Sequence, residues 1–195
     1  MPAGESLSPG YFERLYTENP DPWGFETRAY EREKYATTLA ALPRTTYHNA
    51  LEIGCSIGVL TEQLAGRCGA LRAVDVSETA LQRARQRCAR LPHVRLERRQ
   101  LPGEFPTEQY DLILVSEVGY YWSAADLVRA RQAITDGLRP GGHLLLVHWT
   151  PYVADYPLTG DAVHEAFLAV PDQLRHQFGQ RHATYRLDRF ERTEG

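Results

Sequence analysis

The pattern with the clearest chemical meaning is a glycine turn that follows a short apolar run, because residues 51–58 read LEIGCSIG. Gly54 permits a tight turn from a strand into a helix. Gly58 lets that helix pack closely and keeps side chains away from a ligand lying across the turn. The first turn of the helix offers unpaired N–H groups to a carboxylate or a hydroxyl. The spacing therefore predicts a ligand-binding turn.

An acidic residue follows at the distance that a nucleoside site requires. Asp75 ends the second predicted strand, 21 residues after Gly54, where a doubly wound fold places an acid that accepts two ribose hydroxyls. Dinucleotide sites carry G-x-G-x-x-G because a pyrophosphate must approach the backbone, and Ser56 in the middle position disfavours that ligand. The predicted ligand-binding residues here are Glu52, Gly54, Cys55, Ser56, Gly58, Asp75 and Val76.

Four side chains farther along the chain are candidates for accepting a proton. Glu117 and His148 are expected at the carboxyl ends of predicted strands, where ligands gather in a parallel sheet, and Asp161 and His164 follow them. Each has a structural alternative. Glu117 can cap the turn that follows it, His148 can be a core histidine, and Asp161 can cap the helix on which His164 lies.

Aromatic residues are expected at the same end of the sheet and on the N-terminal segment. Aromatic faces suit sugar rings, and they attract an ammonium group by cation–π interaction. Core or lid packing is the alternative for several of them. The predicted substrate-binding residues are Trp23, Tyr120, Tyr121, Trp149 and Tyr156.

The elements that must position these residues alternate between strand-like and helix-like patterns from about residue 30. This alternation predicts an α/β, Rossmann-like fold with a mainly parallel central sheet and helices on both faces. We expect a single domain over 1–195, with an aromatic-rich helical lid over 1–43 and a cofactor-binding core over 44–195. Beyond the core strands, the patterns predict a helix over 161–169, a further turn to 177 and one last strand at 184–190. The core strands are predicted at 50–53, 71–76, 93–97, 110–116 and 143–149.

Composition excludes several classes of protein. A net charge of −3 and 43% hydrophobic residues indicate a globular chain with no general attraction to nucleic acid. The arginines over 83–99 are expected on a solvated helix face and strand edge. The apolar runs are too short to span a bilayer, and the N-terminus has no secretion signal. The three cysteines lack metal-ligand spacing, so we expect reduced thiols, no metal and a cytoplasmic protein.

Three features resemble the class I methyltransferases that depend on S-adenosyl-L-methionine. The segment 52–58 resembles their E/D-x-G-x-G-x-G motif, with Ser56 in place of the middle glycine. The segment 110–117, YDLILVSE, resembles their fourth strand, and PGG at 140–142 resembles the loop before their fifth. The resemblance implies that S-adenosyl-L-methionine is the cofactor and that Ser116 lies beside the transferred methyl group.

The same resemblance assigns residues to the two ends of the cofactor. The family often has an acid after strand three that holds the adenine amino group, and here Gln100 accepts that hydrogen bond more weakly. Leu101 would pack on the adenine ring. Tyr30 and Lys34 lie one helical turn apart, and Lys34 would pair with the methionine carboxylate if this helix covers the site. A solvated lysine is the alternative.

A closer resemblance joins the ends of the chain to its middle. The string of motifs is similar to the nodulation protein S family of N-methyltransferases and covers nearly the whole chain. That family methylates the free amine on the terminal sugar of a deacetylated chitin oligosaccharide. The segments that carry the resemblance are 11–16, 21–25, 30–35, 51–58, 116–121, 148–149 and 156–161, together with His164.

The function implied is methyl transfer from S-adenosyl-L-methionine to a small acceptor, with the amine of an amino sugar as the expected acceptor. The acceptor amine must be neutral, so one of the four proton-accepting candidates would remove its proton. Three alternatives stay open: methylation of an unrelated small metabolite, a nicotinamide-dependent oxidoreductase, and a binding module without catalysis. The sequence predicts no nucleic-acid or membrane partner and leaves the oligomeric state open.

Overall fold

The computed structural model describes residues 4–194, which form two compact units. One unit covers Ser8–Gln100, and the other covers residues 4–7 and 101–194. The single domain predicted over 1–195 stays a prediction. Residues 1–3 of the predicted lid (1–43) and residue 195 of the predicted core (44–195) lie outside the described residues.

The unit Ser8–Gln100 contains three parallel strands in the order β3-β2-β1. Ile53 lies opposite Val74 in the register of β1 and β2, so the glycine turn and Asp75 leave the sheet at the same edge. The elements are α1 (Pro9–Glu18), α2 (Ala29–Ala40), β1 (Tyr47–Ile53), α3 (Val59–Ala65), β2 (Cys68–Asp75), α4 (Glu78–Arg87) and β3 (Val94–Arg98).

Local sequence explains where the helices of this unit begin and end. The Ser8 side chain accepts from the Tyr11 N–H at the start of α1, and Ser77 accepts from the Ala80 N–H at the start of α4. Both helices therefore begin at a serine N-cap. Helix α2 ends at Ala40, three residues before Pro43, which cannot continue a helix.

The second unit contains four strands in the order β4-β5-β7-β6, with β4 and β5 parallel and the other neighbours antiparallel. A short 3-10 helix over Gly119–Tyr121 follows β4. The remaining elements are β4 (Tyr110–Ser116), α5 (Ala124–Gly137), β5 (Leu138–Trp149), α6 (Gly160–Leu168), β6 (Leu174–Arg181) and β7 (Tyr185–Arg192).

The apolar strands form the centre of this unit. Every residue of Leu112–Val115 and of Leu144–Val147 is fully buried. A strand that is covered on both faces has a continuous apolar sequence, as Leu112–Val115 has. Among residues 4–194, no helix has the length and apolar character needed to cross a membrane.

Strand β5 begins earlier than predicted. Leu138 pairs with Tyr110, and the register then jumps so that His143 pairs with Leu112. The intervening residues 139–142 form a bulge in which Gly141 adopts a φ of 72°. The proline and glycines that predict a loop at 140–142 therefore form an irregularity inside the strand.

The C-terminal strands differ from the prediction. The expected turn to 177 and single last strand are wrong, because β6 (Leu174–Arg181) pairs antiparallel with β7. Leu174 is its one fully buried residue, and most of the strand is exposed and polar. An edge strand with so little burial lacks the apolar alternation on which strand prediction depends.

Candidate functional site

The glycine turn has the backbone conformation that its residues suggest. Gly54, Ser56 and Gly58 all have positive φ angles, of 82°, 51° and 80°. A Cβ on Gly58 would lie 3.0 Å from both the Cα and the Cβ of Ala84 in α4. The glycine at 58 is therefore required by backbone conformation and by the close approach of α4.

The carboxylate of Asp75 is tied to this turn. Its Oδ2 accepts from the Ser56 N–H at 2.8 Å, and its Oδ1 accepts from the Ser77 N–H at 2.9 Å. Burial raises the pKa of Asp75 above its usual value, and the backbone N–H donors oppose that shift. The amide at the middle of the turn thus serves a carboxylate of the protein.

A second acid lies under the turn. Glu52 is 1% exposed, and its Oε2 has no hydrogen-bond partner among the described residues. Burial raises its pKa from 4.5 to about 7. Cys55 is also buried, and burial raises the pKa of its thiol. The surroundings of the turn are therefore acidic and lightly solvated.

Aromatic residues of the N-terminal helices pack on the turn. The Tyr16 hydroxyl lies 2.5 Å from the Ser56 Oγ, and the Tyr16 ring packs with Ile57 and Ala80. Trp23 contacts Tyr16 edge-on, with ring centroids 5.7 Å apart. These residues are packed on the turn, and a lid over a bound cofactor stays a prediction. Trp23 lies in this cluster, and its role in substrate binding stays a prediction.

Glu13 of α1 holds this helix against α4, and the motif analysis gave it no role. Its carboxylate accepts from the Ser77 Oγ at 2.7 Å and from the Thr79 N–H and hydroxyl. The Thr79 hydroxyl lowers the pKa of Glu13, and burial opposes the shift. The residues around Glu13 in the sequence are typical of an exposed acid. Its place in the segment 11–16, which resembles the family, was the one signal that pointed to it.

An open cavity of about 330 Å³ adjoins Glu13 and the predicted cofactor residue Val76. Arg98 donates from its Nε to the Val76 carbonyl at 3.1 Å. Val76 thus faces a space large enough for a ligand group. The lining residues are Pro9, Gly10, Glu13, Val76, Glu78 and Arg98.

The second N-terminal helix buries the predicted lysine. Lys34 is 3% exposed, and its Nζ lies 3.1 Å and 2.9 Å from the two carboxylate oxygens of Glu31. The same Nζ lies 5.2 Å from the centroid of the Tyr30 ring. The alternative of a solvated lysine is therefore wrong. Pairing of Lys34 with a cofactor carboxylate stays a prediction.

Residues after β3 occupy the boundary between the two units. Gln100 is exposed at the end of the first unit, and Leu101 is half-buried at the start of the second. Their predicted contacts with adenine stay predictions.

In the second unit, Glu117 follows Ser116, the buried last residue of β4, and has a φ of 59°. Its Oε2 accepts from the Trp149 N–H at 2.8 Å and from the Tyr120 hydroxyl at 2.5 Å. Two donors thus fix the carboxylate of a residue whose backbone is left-handed, and a catalytic role for Glu117 stays a prediction. The structure therefore brings Glu117, Trp149 and Tyr120 together.

His148 and His164 form one buried chain of hydrogen bonds. The Gly119 N–H donates to the His148 Nε2 at 3.1 Å, and the His148 Nδ1 lies 3.1 Å from the His164 Nε2. The His164 Nδ1 lies 2.6 Å from Asp188, which the motif analysis missed because it lies 24 positions farther along the chain. Burial lowers the pKa of His164, although Asp188 opposes the shift.

The predicted substrate-binding tyrosines pack on one another. Tyr120 and Tyr156 stack with centroids 5.1 Å apart and planes at 11°, and Tyr121 meets Tyr156 edge-on at 4.8 Å. Burial raises the pKa values of Tyr120 and Tyr121 well above the usual range, so both stay protonated. Packing is thus observed, and contact with a substrate stays a prediction.

Asp161 lies at the surface of α6. Its carboxylate pairs with Arg181 at 2.5 Å and with Arg186 at 3.4 Å, and its side chain is 39% exposed. Among residues 4–194, no group of histidine, cysteine and acidic side chains is arranged to hold a metal ion.

A family model for nodulation protein S (NodS) matches residues 13–148, which include the glycine turn, Asp75 and Glu117. The chain belongs to the nodulation protein S family. A nodulation protein S from Rhizobium tropici is 36% identical over 129 residues, which are 64% of this chain and 53% of the relative. This chain therefore spans about half the length of the curated nodulation protein S sequences it matches.

Solved structures include proteins whose fold is similar to that of this chain. The N-methyltransferase NodS from Bradyrhizobium japonicum WM9, in complex with S-adenosyl-L-homocysteine, matches with a TM-score of 0.84 at 28% identity, over 95% of this chain and 98% of that one. A Pseudomonas syringae protein assigned to the methyltransferases matches with a TM-score of 0.74 at 41% identity, over 85% of this chain and 100% of that one. The predicted family and the class I methyltransferase fold are confirmed.

Proposed function

We propose that this chain is a methyltransferase that uses S-adenosyl-L-methionine and acts on the amine of an amino sugar. The observation that carries the proposal is the hydrogen bond from the Ser56 N–H to Asp75. In a dinucleotide site the amides of this turn face a pyrophosphate. Here a pyrophosphate would compete with Asp75 for the donor and lie near the buried acid Glu52.

The charge of the turn supports the same cofactor. The Asp75 carboxylate, which accepts from two backbone N–H groups, favours a cation over an anion in its vicinity. S-adenosyl-L-methionine carries a sulfonium cation and no phosphate, so its charge suits this turn. When bound, it supplies an electrophilic methyl group, which passes to the acceptor nitrogen while the C–S bond breaks and sulfur keeps the electron pair.

The proposed contacts with the cofactor follow from the resemblance to the methyltransferases. Asp75 would accept the ribose hydroxyls, Lys34 would face the methionine carboxylate, and Gln100 would accept from the adenine amino group. The N-methyltransferase NodS, solved in complex with S-adenosyl-L-homocysteine, supports the cofactor by similarity. The proposed cofactor residues are Tyr30, Lys34, Glu52, Gly54, Cys55, Ser56, Gly58, Asp75, Val76, Gln100, Leu101 and Ser116.

Among the four candidate bases, the contacts favour Glu117. An acceptor amine attacks through its lone pair, so its ammonium form must first lose a proton. The Glu117 carboxylate is held by the Trp149 N–H and the Tyr120 hydroxyl, and it would accept that proton. The His148 Nε2 already accepts from the Gly119 N–H, and Asp161 pairs with two arginines, so both are weaker candidates.

An amino sugar is supported by the aromatic residues near Glu117. Tyr156 is half-buried beside Tyr120 and Tyr121, and an aromatic ring of this kind suits a sugar ring. The relatives named nodulation protein S and N-methyltransferase support an amine acceptor. The proposed acceptor-binding residues are Trp23, Tyr120, Tyr121, Trp149 and Tyr156.

Two measurements on the full chain test the proposal. Titration calorimetry is expected to detect binding of S-adenosyl-L-homocysteine and none of NAD, and the reverse result would contradict the cofactor. Radiolabelled S-adenosyl-L-methionine is then expected to label glucosamine or deacetylated chito-oligosaccharides. Their N-acetylated forms are the matched control, because an amide nitrogen is a poor nucleophile. Labelling of no amino sugar would overturn the acceptor and leave the cofactor proposal standing.

A further inference from the structure

The buried chain from Gly119 to Asp188 has a direction that its atoms determine. The Gly119 N–H is always a donor, so the His148 Nε2 at 3.1 Å must be an unprotonated acceptor. A neutral imidazole carries one N–H, which places the hydrogen of His148 on Nδ1. That Nδ1–H donates to the His164 Nε2 at 3.1 Å. The remaining hydrogen of His164 then lies on Nδ1 and is donated to Asp188 at 2.6 Å.

Asp188 is the acceptor at the end of this chain. It is 2% exposed and lies on β7, while His164 lies on α6 and His148 on β5. The Arg186 Nε donates to its Oδ2 at 2.6 Å, and the His176 Nε2 lies 2.7 Å from its Oδ1. Burial alone would raise the pKa of Asp188, but His164, His176 and Arg186 lower it overall. The carboxylate is therefore ionised and fixed between three elements.

The other end of the chain is the turn that carries Glu117. A Cβ on Gly119 would lie 3.0 Å from the His148 Nε2 and 2.5 Å from the Val163 Cγ1, so the backbone at 119 touches the ring directly. Residue 119 begins the 3-10 helix that includes Tyr120, whose hydroxyl donates to Glu117. The position of the His148 ring thus bears on the carboxylate that we propose as the base.

We propose that Asp188 is a positioning residue, which acts through His164 to hold His148 in its neutral Nδ1–H tautomer and thereby fixes the turn Glu117–Tyr121 for methyl transfer. This proposal rests on the proposed function only for its effect on catalysis. Its hydrogen-bond content stands on the geometry of Gly119, His148, His164 and Asp188.

The same chain leaves no place for an additional proton. A second N–H on His148 would point at the Gly119 N–H, and a second N–H on His164 would point at the His148 Nδ1–H. Burial lowers the pKa of His164, which agrees with a neutral ring. Acidification is therefore expected to weaken the contact at Gly119. The charged or titratable groups that act on the pair are Tyr120, Asp161, Arg186 and Asp188. Glu117 contacts Tyr120, His176 contacts Asp188, and Glu165 contacts Arg186, so these three lie one contact farther away.

The test combines imidazole NMR with kinetics on the full chain. In the wild-type protein, two-bond 1H–15N correlations are expected to show the Nδ1–H tautomer for both His148 and His164. In Asp188→Ala, His148 is expected to populate the Nε2–H tautomer, and the Gly119 amide to exchange about tenfold faster. The kcat for methyl transfer is expected to fall about tenfold, because a small displacement of a catalytic group is costly, with binding of S-adenosyl-L-homocysteine nearly unchanged.

Two further variants separate positioning from general stability. Asp188→Asn keeps an oxygen acceptor for His164 and is expected to restore the wild-type tautomers and most of kcat. Glu165→Gln removes an exposed carboxylate that contacts the same Arg186 at 2.7 Å, and it is expected to leave all readouts unchanged.

Three outcomes would overturn the proposal. The first is an Nε2–H tautomer for either histidine in the wild-type protein, a result that decides the matter even if Asp188→Ala does not fold. The second is an Asp188→Ala protein with Gly119 exchange and kcat equal to those of Glu165→Gln. The third is an Asp188→Asn protein that loses the Nδ1–H tautomers as Asp188→Ala does. Absence of methyl transfer in the wild-type protein would instead contradict the proposed function, and the tautomers would still be measurable.

Discussion

Two acids, Asp75 and Glu52, lie close to the glycine turn. Asp75 accepts two backbone N–H groups, and Glu52 lies buried beneath the turn with one oxygen unpaired among the described residues. Both acids have raised pKa values because burial disfavours their charged forms. Substitutions that keep their size but remove their charge test the roles of the two acids. For Asp75 the change also removes an acceptor from one of the two backbone N–H groups, because an amide has one acceptor oxygen.

Replacement of Asp75 by Asn tests the proposed ribose contact. The amide keeps one acceptor oxygen and loses the charge, so two hydroxyl donors are no longer both satisfied by strong acceptors. We expect the Kd for S-adenosyl-L-homocysteine to rise about tenfold or more in calorimetry, the range of one to two charge-assisted hydrogen bonds. Asp155→Asn, at an exposed position, is the matched control. An unchanged Kd in Asp75→Asn would contradict the contact.

The buried Glu52 makes stability depend on pH. Its folded pKa of about 7 lies above its ordinary value of 4.5, so between these values the folded state binds more protons than the unfolded state. The free energy of unfolding therefore decreases as pH rises through this window, by about 3 kcal/mol in total. Glu52→Gln stays neutral, so its stability relative to the wild type is expected to increase by this amount from pH 4.5 to pH 8. Urea unfolding at several pH values measures it, and a pH-independent difference would contradict the prediction.

At the level of elements, helix α4 of the first unit contacts both α1 and the glycine turn. Glu13 of α1 accepts three hydrogen bonds from Ser77 and Thr79 at the start of this helix, and Gly58 lets Ala84 approach at its middle. A carboxylate at a helix N-terminus is favoured by the unpaired N–H groups and by the helix dipole. Both contacts attach neighbouring elements to one helix.

Removal of the Glu13 carboxylate is expected to loosen α1 from α4. Glu13→Ala leaves the Thr79 N–H without its carboxylate partner, which costs about 1–2 kcal/mol, as for other lost caps. Urea unfolding measures the loss, and hydrogen exchange should show reduced protection at Thr79 and Ala80. Glu18→Ala, at an exposed position of the same helix, is the control. Equal effects of the two substitutions would argue against a cap.

Two glycines of the first unit differ in what a methyl group would meet. At Gly58, φ is 80° and the new Cβ would lie 3.0 Å from Ala84, whereas at Gly66 φ is −64° and the nearest atom is 3.6 Å away. Gly58→Ala is expected to destabilise the protein by about 2 kcal/mol or more, from strain and overpacking. Gly66→Ala is expected to stabilise it by about 0.5 kcal/mol through the unfolded state. Thermal unfolding compares them, and similar shifts would contradict this account.

Some elements of this fold could be predicted from the sequence alone, and others could not. The turn at Gly54 and Gly58 and the apolar strand Leu112–Val115 were predictable, because glycine spacing and continuous hydrophobicity are local signals. The contact of His164 with Asp188 was not, since it depends on how α6 and β7 pack. Strand β6 was missed because its exposed residues carry no apolar alternation. Local chemistry was thus easier to predict than long-range partners.

For the whole molecule, the family match covers fewer residues than the functional proposals use. The match covers residues 13–148, which include the glycine turn and Glu117 but neither His164 nor Asp188. The curated relatives are about twice as long as the part that this chain matches. The cofactor proposal therefore has broader support than the acceptor proposal, which depends in part on residues outside the matched segment.

Ligand-linked unfolding tests the cofactor and the single-domain prediction together. S-adenosyl-L-homocysteine at about 100 times its Kd should stabilise the folded chain by about 2.7 kcal/mol. If the two compact units unfold as one domain, calorimetry will show a single transition that moves upward as a whole, with no shift from NAD. Two transitions, of which one moves, would contradict the single domain, and a shift with NAD alone would contradict the cofactor.

The polar edge strand also has a consequence for solubility. Strand β6 lies at the end of the order β4-β5-β7-β6, and an uncovered strand edge can pair with another chain. Here the edge carries Arg175 and Arg181, and its register is interrupted between His176 and Phe178. Charged side chains on an edge strand and a broken register both oppose strand addition. The polar and charged residues that leave β6 without an apolar strand pattern thus also protect the sheet against edge-to-edge aggregation.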